Sequence, residues 1–245
     1  MAPVTITSRD NDKLKLARKL HERRWRDKLG LFLCEGEDLV EAALEAGLEP
    51  VESLVDAERP ALLELLPSAD LVAPGPLAEV STLGHPPRVV AVFRRESLPR
   101  LGVAAPPAVG LALWRVGDPG NVGTLLRALD ALGPGFLALS AGCADPTGPK
   151  ALRAGAGATF RVPSCGFEEA PGRRVALVAR GGVPLADLEP AESTTYVLGA
   201  EREGLPEEVL ARCDIRATIE QSGPAESLNV AMAGTIALYE ASRRV

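Results

Sequence analysis

The second half of the chain alternates short apolar runs with longer amphipathic stretches, and this alternation constrains the fold more than any other feature. The clearest run, VGLALWRV at 109–116, is almost continuously apolar and suits a strand that is covered on both faces. Further strands are predicted at 136–139, 175–178, 196–198 and 215–219. Helices are predicted between them at 122–132, 150–154 and 206–212. The pattern therefore predicts an α/β domain with a parallel sheet and helices on both faces.

The first 95 residues show the same alternation on a smaller scale. Strands are predicted at 30–36, 51–55, 71–72 and 89–93, with helices at 37–46 and 60–66. These elements indicate a small N-terminal α/β domain over residues 1–95. Residues 96–107, ESLPRLGVAAPP, contain three prolines and no periodicity, and are predicted to be a linker. The second domain is then expected to cover residues 108–245.

The cysteines and the apolar segments bear on the compartment. Cys34, Cys143, Cys165 and Cys213 lie far apart without a CxxC pair, which argues against a metal site or a disulfide framework. The N-terminus has no apolar signal core, and the uncharged run Ser227–Tyr239 is too short to span a bilayer. We therefore expect a cytoplasmic protein without a membrane span or a bound metal.

A basic segment near the N-terminus stands out, because the whole chain carries a net charge of −6. Between Arg9 and Lys28 there are nine Lys or Arg residues and four acidic ones. The pattern predicts one helix over about 13–28, capped by Ser8 or Asp10. Its predicted apolar stripe comprises Leu14, Ala17 and Leu20. The charged face is either simply solvated or contacts nucleic-acid phosphates, and the candidates for phosphate contact are Lys15, Arg18, Lys19 and Arg23.

Trp25, in the same segment, has two interpretations. The indole can anchor the helix on the core, or it can stack on a base. The anchoring role is the more common one for a single tryptophan on a helix.

Several common nucleotide and hydrolase motifs are absent. GDPGNVG at 117–123 lacks the spacing of a dinucleotide fingerprint, and GCADPTGPK at 142–150 lacks the GK[ST] of a P-loop. No GxSxG elbow surrounds Ser227, and His21 and His85 both fall outside the second domain. A serine hydrolase is therefore poorly supported.

Three polar loops remain in the second domain. The first carries Asn121 and leads to Arg127, which is predicted to face away from the leucine stripe of its helix. The second is LGAEREGLP at 198–206, in which the glycines allow close backbone approach and Glu201 follows a strand. The third is IEQSGPAESLNVAM at 219–232, where Ser227 is predicted to cap an apolar helix. Loops that leave the strands of an open α/β sheet are where ligands bind.

In this order and spacing, the three loops resemble the three motifs of the SpoU (TrmH-like) family of RNA ribose methyltransferases, part of the SPOUT superfamily. The first motif is matched by 118–123 with Arg127, the second by 198–206, and the third by Ile219 together with SLNVAMAG at 227–234. ALDA at 128–131 departs from the family's usual Thr-Ala pattern, and Glu220 stands where a proline is frequent. The first domain, with TSRDN at 7–11 and GLFLCEG at 30–36, resembles the family's upstream substrate-binding domain.

The resemblance implies a SPOUT-type domain with a trefoil knot that binds S-adenosylmethionine. The residues expected to line that cofactor's site are Leu198, Gly199, Ile219, Gln221 and Leu228. The implied reaction moves a methyl group to a ribose 2′-hydroxyl, with ribosomal RNA of the 23S type favoured over transfer RNA. Two alternatives remain open, a non-catalytic RNA-binding protein and a SPOUT enzyme that methylates a base.

The resemblance also implies roles for five polar residues and a homodimer. Arg127 would activate the hydroxyl, Glu201 would organise the site, and Ser227 would bind near the ribose. Asn121 and Asn229 would hold loops and substrate. The small residues of the last helix, Ala231, Gly234 and Ala237, are expected to supply a close-packed contact between protomers.

Overall fold

The computed structural model describes residues 5–81, 86–102, 106–223 and 226–243. Within these ranges the chain forms two sheets, each with its own helices. The first sheet contains β1 (Thr5–Ile6), β2 (Leu31–Glu35), β3 (Glu52–Asp56), β4 (Asp70–Val72) and β5 (Val89–Arg94). Its order is β1-β4-β3-β5-β2, with β5 antiparallel to both of its neighbours. The short edge strand β1 was not predicted from the sequence.

The helices around the first sheet are short. They are α1 (Asp12–Lys19), α2 (Arg23–Leu29), α3 (Glu37–Glu45) and α4 (Pro74–Ala78). The predicted helix at 60–66 is a 3-10 turn, Pro60–Leu63, and a second such turn covers Arg95–Ser97. The stripe predicted for the basic segment is buried against the sheet, with Leu14 and Leu20 fully inaccessible to solvent.

The prediction of one continuous basic helix was wrong, because the segment forms two helices, α1 and α2. Arg26 supplies the physical reason: its Nη1 donates to the carbonyl oxygens of Leu20 and His21 at 2.8 and 2.9 Å. Carbonyls held in this way are drawn out of a regular helical ladder. The predicted cap was also wrong, since the side chain of Asn11, and not that of Ser8 or Asp10, accepts the Lys13 N–H.

The second sheet contains seven strands, all parallel. They are β6 (Val109–Trp114), β7 (Gly135–Leu139), β8 (Ser164–Gly166), β9 (Arg173–Leu177), β10 (Val183–Pro184), β11 (Thr194–Gly199) and β12 (Ile215–Thr218). Their order is β10-β12-β9-β11-β6-β7-β8. The five longer strands lie at the predicted positions, whereas the edge strands β8 and β10 were not predicted. The trefoil knot stays a prediction, because strand order does not define which segment threads which loop.

Four helices accompany this sheet: α5 (Pro119–Leu132), α6 (Pro149–Gly155), α7 (Glu207–Leu210) and α8 (Val230–Ser242). One face of the sheet packs on α5 and α8 through residues such as Leu111, Leu125 and Leu238. The other face is covered by α7 and by a 3-10 turn at Phe167–Glu169. Both faces are therefore buried, as the continuous apolar strands predict. None of the helices in the described ranges is long and apolar enough to cross a bilayer.

The small residues of α8 pack within their own chain. A Cβ on Gly234 would lie 2.4 Å from Leu125 Cδ2, and Ala231 and Ala237 are buried at 4% and 0% exposure. The expectation that Gly234 and Ala237 contact a second protomer was therefore wrong. They face α5 and the sheet because only small side chains allow α8 to approach so closely. For Ala231 the expectation stays a prediction, since this residue also borders a surface groove between α5 and α8.

The predicted linker at 96–107 is partly ordered by the second sheet. Leu101 N–H donates to Ser164 O at 3.0 Å, and Ser164 N–H donates to Pro99 O at 3.1 Å. Residues 103–105 of this linker lie outside the described residues. The two halves also share apolar packing, since Leu152 and Phe160 of the second half join the core of the first sheet. The rings of Phe32 and Phe160 stack with centroids 6.0 Å apart.

Candidate active site

Two of the predicted polar loops leave adjacent strands, β6 and β11, at the carboxyl edge of the second sheet. After β6, Asp118 caps α5 and accepts the Asn121 N–H at 2.9 Å. Lys150 Nζ donates to the other Asp118 oxygen at 2.7 Å. The hydrogen bond from Lys150, followed by that from the Asn121 N–H, holds the pKa of Asp118 below its ordinary value. The start of α5 is thus fixed by a carboxylate that stays ionised at neutral pH.

A one-directional chain of hydrogen bonds joins all three loops. The N–H groups of Ala231 and Met232, at the start of α8, donate to Asn229 Oδ1 at 2.9 and 3.3 Å. Asn229 Nδ2 donates to Asn121 Oδ1 at 3.2 Å, and Asn121 Nδ2 donates to Glu201 Oε1 at 2.6 Å. An ionised carboxylate can only accept, so Glu201 sets the orientation of both amides. Three of the five predicted catalytic residues therefore form one connected unit.

The cap of α8 differs from the prediction. Asn229 occupies the cap position and its side chain satisfies two orphan amides, whereas Ser227 lies two residues earlier in the loop. Both residue types are good caps. The helix begins after Asn229 because the amide of this cap residue also donates to Asn121, a contact that a shorter serine side chain cannot make. Residues 224 and 225 of the same predicted loop lie outside the described residues.

Behind this unit lies a cavity with a volume of about 150 Å³. It is bounded mainly by apolar side chains and loop backbone. All five residues expected to bind the cofactor line it, namely Leu198, Gly199, Ile219, Gln221 and Leu228. Glu201 and Ser227 also contribute to its wall. The cavity and the hydrogen-bonded unit therefore share a boundary.

Two residues of the cavity wall have special constraints. A Cβ on Gly199 would lie 2.2 Å from the carbonyl carbon of Gly204, so this position excludes every side chain. Gln221 Oε1 is buried and has no hydrogen-bond partner among the described residues. Buried polar atoms are rarely left unpaired, and such an acceptor suits a ligand that brings an N–H or O–H group.

Arg127 is exposed on α5, as its position opposite the leucine stripe predicts. Its side chain makes no hydrogen bond or ion pair with the described residues, and it does not line the cavity. It lies six residues beyond Asn121, a rise of about 9 Å along the helix. Within one chain, Arg127 is therefore separate from the connected unit.

An apolar groove runs beside the connected unit between α5 and α8. Its volume is about 390 Å³, and its lining includes Asn121, Asn229, Met232 and Ile236. Two large apolar side chains on this side of α8 are unusually exposed, Met232 at 56% and Tyr239 at 52%. An exposed apolar stripe of this kind indicates an interaction surface.

The four predicted phosphate contacts are not gathered into one cluster. Lys15 lies 3.6 Å from Asp12, and Arg18 Nη2 donates to Arg9 O at 2.6 Å. Arg23 Nη1 donates to Cys143 O at 2.9 Å, which places it at the contact between the two halves.

Lys19 instead belongs to a group around Trp25, which is half-buried. The nitrogens of Lys19 and Lys28 lie 5.0 and 5.3 Å from the ring centroid, and the Arg24 guanidinium lies at 5.5 Å. Trp25 therefore has a cationic setting on the surface. Arg24 and Lys28 were not predicted from the sequence, although both lie within one helical turn of Trp25.

A buried ion network across the two halves was also missed. Arg26 Nε donates to Asp145 Oδ2 at 2.7 Å, with side-chain exposures of only 5% and 3%. Arg95 and Thr147 donate to Asp145 Oδ1 at 2.8 and 2.7 Å. Burial by itself raises the pKa of Asp145, but the Thr147 hydrogen bond, the Arg95 charge and the Arg26 hydrogen bond outweigh it, so the pKa is lowered. No local pattern links residues that lie 119 positions apart.

Among the described residues, no group of three or more His, Cys, Asp or Glu side chains is arranged to hold a metal ion. The four cysteines are all free thiols.

Comparison with known proteins places this site in context. Residues 108–239 match the SpoU rRNA Methylase family, and residues 11–91 match the MRM3-like substrate binding domain. The 23S rRNA (guanosine(2553)-2′-O)-methyltransferase RlmP of Bacillus subtilis is 33% identical, over 96% of this chain and 97% of its own length. The 23S rRNA (uridine(2479)-2′-O)-methyltransferase of Streptomyces viridochromogenes is 31% identical, over 98% and 92%.

A solved structure is similar over the same extent. The AdoMet-bound rRNA methyltransferase from Sinorhizobium meliloti has a TM-score of 0.83 and 29% identity, over 99% of this chain and 98% of that protein. Both halves of the chain, and not the second sheet alone, are thus shared with these relatives.

Proposed function

Because the chain belongs to the SpoU rRNA Methylase family, we propose that it transfers a methyl group from S-adenosylmethionine to a ribose 2′-hydroxyl of ribosomal RNA. One observation carries this proposal beyond family membership. The Glu201–Asn121–Asn229 unit lies directly beside a cavity whose wall contains the unpaired acceptor Gln221 Oε1. Polar groups that converge on an apolar cavity are the usual form of a small-molecule site.

The cavity residues fit an adenosine-containing cofactor. Leu198, Ile219 and Leu228 offer apolar walls for a flat ring, and Gln221 Oε1 offers an acceptor for an amine or a hydroxyl. The absence of a side chain at Gly199 keeps the second loop packed against its own backbone and leaves that wall to main-chain groups. When bound, S-adenosylmethionine would supply a methyl group attached to a cationic sulfur. The sulfur would be the leaving group and would become a neutral thioether.

The protein's part in the reaction is to orient the ribose and to favour its oxygen as a nucleophile. The 2′-hydroxyl is weak in this role and must lose its proton as it attacks. We assign that proton to a phosphate oxygen of the RNA or to water. We assign electrostatic stabilisation of that oxygen to Arg127, because a guanidinium stays protonated at neutral pH and is a poor base. The connected unit keeps the loops of Asn121 and Asn229 in register with the cavity, and Ser227 offers a hydroxyl near the ribose.

We further infer that the protein acts as a homodimer through the exposed face of α8. In one chain Arg127 does not line the cavity. The groove lined by Asn121, Met232 and Ile236 is open to solvent. Pairing of this face with its copy would bury Met232 and Tyr239 and would bring α5 of each protomer close to the other site. Gly234 and Ala237 take no part, since they are buried within the protomer, whereas Ala231 lines the groove.

The first half is assigned to RNA binding. We propose residues 1–95 as the substrate-binding domain, 96–107 as the linker and 108–245 as the catalytic domain. The cationic group around Trp25 supports this role, because a tryptophan face among Lys19, Arg24 and Lys28 suits nucleotide stacking with phosphate contact. The two named relatives act on a guanosine and a uridine, so the target nucleoside is not assigned. The four free thiols agree with a place in the reducing cytoplasm.

The test uses purified protein, labelled S-adenosylmethionine, and separately purified ribosomal and transfer RNA from cells that lack this protein. We expect label in a 2′-O-methylated nucleoside of ribosomal RNA, and mapping of the product would give its position. Label in transfer RNA would show that transfer RNA, and not ribosomal RNA, is the substrate. Label on a base would show that the enzyme methylates a base and not a ribose. RNA binding without methyl transfer would show a non-catalytic protein.

A further inference from the structure

Arg115 has an unusual backbone conformation directly before the first polar loop. Its φ is 54°, in the left-handed region that non-glycine residues rarely adopt. The other such residue among those described, Ala156, ends α6 in a left-handed cap, which is an ordinary way to terminate a helix. Arg115 instead follows β6 and terminates no helix. Its conformation is therefore imposed by its surroundings.

The surroundings that impose it are hydrogen bonds to the loop after β7. The Arg115 N–H donates to Ser140 Oγ at 2.9 Å. On either side, Ser140 N–H donates to Leu113 O at 3.0 Å, and Ala144 N–H donates to Val116 O at 2.9 Å. Such strain persists only where neighbouring structure fixes it, and it concentrates at functional sites.

The same loop is contacted by the first half of the chain. A Cβ on Gly142 would lie 3.5 Å from Arg115 Cγ, so the arginine stem runs along Gly142. The next residue, Cys143, receives Arg23 of α2 on its carbonyl oxygen at 2.9 Å. The side chains of Arg115 and Arg23, one from each half, thus contact consecutive residues of one loop.

Arg115 differs from its basic neighbours in having no carboxylate partner. Arg23 lies 3.5 Å from Asp27, Arg26 pairs with Asp145, and Lys150 pairs with Asp118. Arg115 is exposed, and no carboxylate of the described residues lies within ion-pair distance of it. An exposed, unpaired guanidinium on a backbone that hydrogen bonds hold in place suits a phosphate, which it can bind in bidentate fashion.

We propose that Arg115 binds a phosphate of the RNA backbone where the strand passes from the substrate-binding half to the active site. This inference rests on the proposed function and adds a contact that sets the register of the RNA. The left-handed backbone turns the side chain towards the Gly142–Cys143 loop, next to the point where Arg23 of the first half docks. One phosphate held there would be fixed relative to both halves at once.

The test compares the wild type with Arg115→Gly, since glycine accepts the left-handed backbone and removes only the side chain. The probe is 23S-type ribosomal RNA transcribed in vitro, and its affinity is measured over a range of salt concentrations. We expect affinity to fall roughly tenfold, equivalent to about 1.4 kcal/mol. The slope of log affinity against log salt should decrease by about 0.7 to 0.9, the value for one lost phosphate contact. The KM for RNA should rise, while kcat at saturating RNA and the affinity for S-adenosylmethionine should stay unchanged.

The matched control is Arg212→Ala. Arg212 is also exposed, but it lies between α7 and β12 and pairs with Glu168. Its loss should leave the salt slope unchanged. An Arg115→Gly protein with the wild-type slope and KM would overturn the inference while leaving the proposed methyl transfer intact. If the wild type methylates no RNA, the proposed function fails, and the salt slopes still decide whether Arg115 contacts phosphate.

Discussion

Asn121 donates its side-chain amide to Glu201 across 2.6 Å, although the two residues lie 80 positions apart in the chain. Because Glu201 can only accept, the Asn121 oxygen must point to Asn229, and the start of α8 is held to both other loops. The hydrogen bond between Asn121 and Glu201 therefore has a fixed donor and a fixed acceptor, and a substitution that removes the donor should turn the attraction into repulsion.

Asn121→Asp should be far more damaging than Glu201→Gln. The first change puts two carboxylates in contact, so that one must take up a proton or the loops must separate. The second change keeps an acceptor oxygen at the same place. We expect methyl transfer by Asn121→Asp to fall at neutral pH and to recover partly as the pH is lowered, whereas Glu201→Gln should retain most activity. Rates measured across pH decide this, and equal losses in the two variants would contradict it.

Gln221→Leu should separate cofactor binding from stability. The unliganded protein carries a buried acceptor that has no partner among the described residues, and such an atom costs about 1–3 kcal/mol. Its removal should leave thermal stability equal or raised, while calorimetry should show affinity for S-adenosylmethionine falling roughly tenfold. Unchanged affinity would remove Gln221 from the cofactor site. Gly199→Val would be unsuitable for this test, because its Cβ would collide with the Gly204 backbone and disturb the fold.

Arg127→Ala should lower the rate of methyl transfer by roughly 100- to 1,000-fold, the usual effect of losing one stabilising donor in a transition state. The exposed side chain makes no hydrogen bond or ion pair with the described residues, so stability should change by only about 0.5 kcal/mol. Affinity for S-adenosylmethionine should persist, and Arg127→Lys should fail to restore the rate because it lacks the planar fork. Near-normal transfer by Arg127→Ala would show a solvated surface residue.

Met232→Asp should dissociate the proposed dimer. Burying a new carboxylate at a self-complementary contact costs about 3–5 kcal/mol, which corresponds to a rise of roughly 100-fold or more in the dissociation constant. Sedimentation equilibrium measures this directly. Val183→Asp serves as the control, since Val183 is an apolar side chain of 41% exposure outside α8. A wild type that sediments as a monomer would refute the dimer, and a dimer that survives Met232→Asp would move the contact to another surface.

Asp145→Ala should be strongly destabilising, by about 3–5 kcal/mol, because Arg26 would remain buried without its partner. The lowered pKa also gives a pH dependence. The stabilisation is present above the ordinary carboxyl pKa of about 3.9 and is lost as the pH falls through the lower folded value. The melting temperatures of the wild type and of Asp145→Ala should therefore approach each other as the pH is lowered from neutral to acid. Glu168→Ala, which removes an exposed partner of Arg212, should leave the melting temperature near that of the wild type.

Much of the second sheet was predictable because its long strands are buried on both faces and therefore read as apolar runs. The edge strands β8 and β10, of three and two residues, carry too little pattern to be found. The division of the basic segment into α1 and α2 depends on Arg26, whose partner Asp145 comes from the other half of the chain. A local helical pattern cannot contain such a contact.

The polar residues of the site were found because three motifs occur together, and the errors concern their local roles. Ser227 and Asn229 are both good caps, and the choice between them is decided by Asn121, more than 100 residues away. Arg115 was overlooked because an arginine after a strand has no distinguishing pattern. Its left-handed backbone becomes visible only when Ser140 and Gly142 are placed beside it.

The network around Asp145 limits how freely the two halves could be recombined. A catalytic half made alone would expose Leu152 and Phe160 to water and leave Asp145 without its arginines. A different substrate-binding half could be grafted on only if it also supplied equivalents of Arg26 and Arg95 and an aromatic surface like that of Phe32. Changing the RNA target by domain exchange would therefore require that the residues of the contact between the halves be transferred together with the domain.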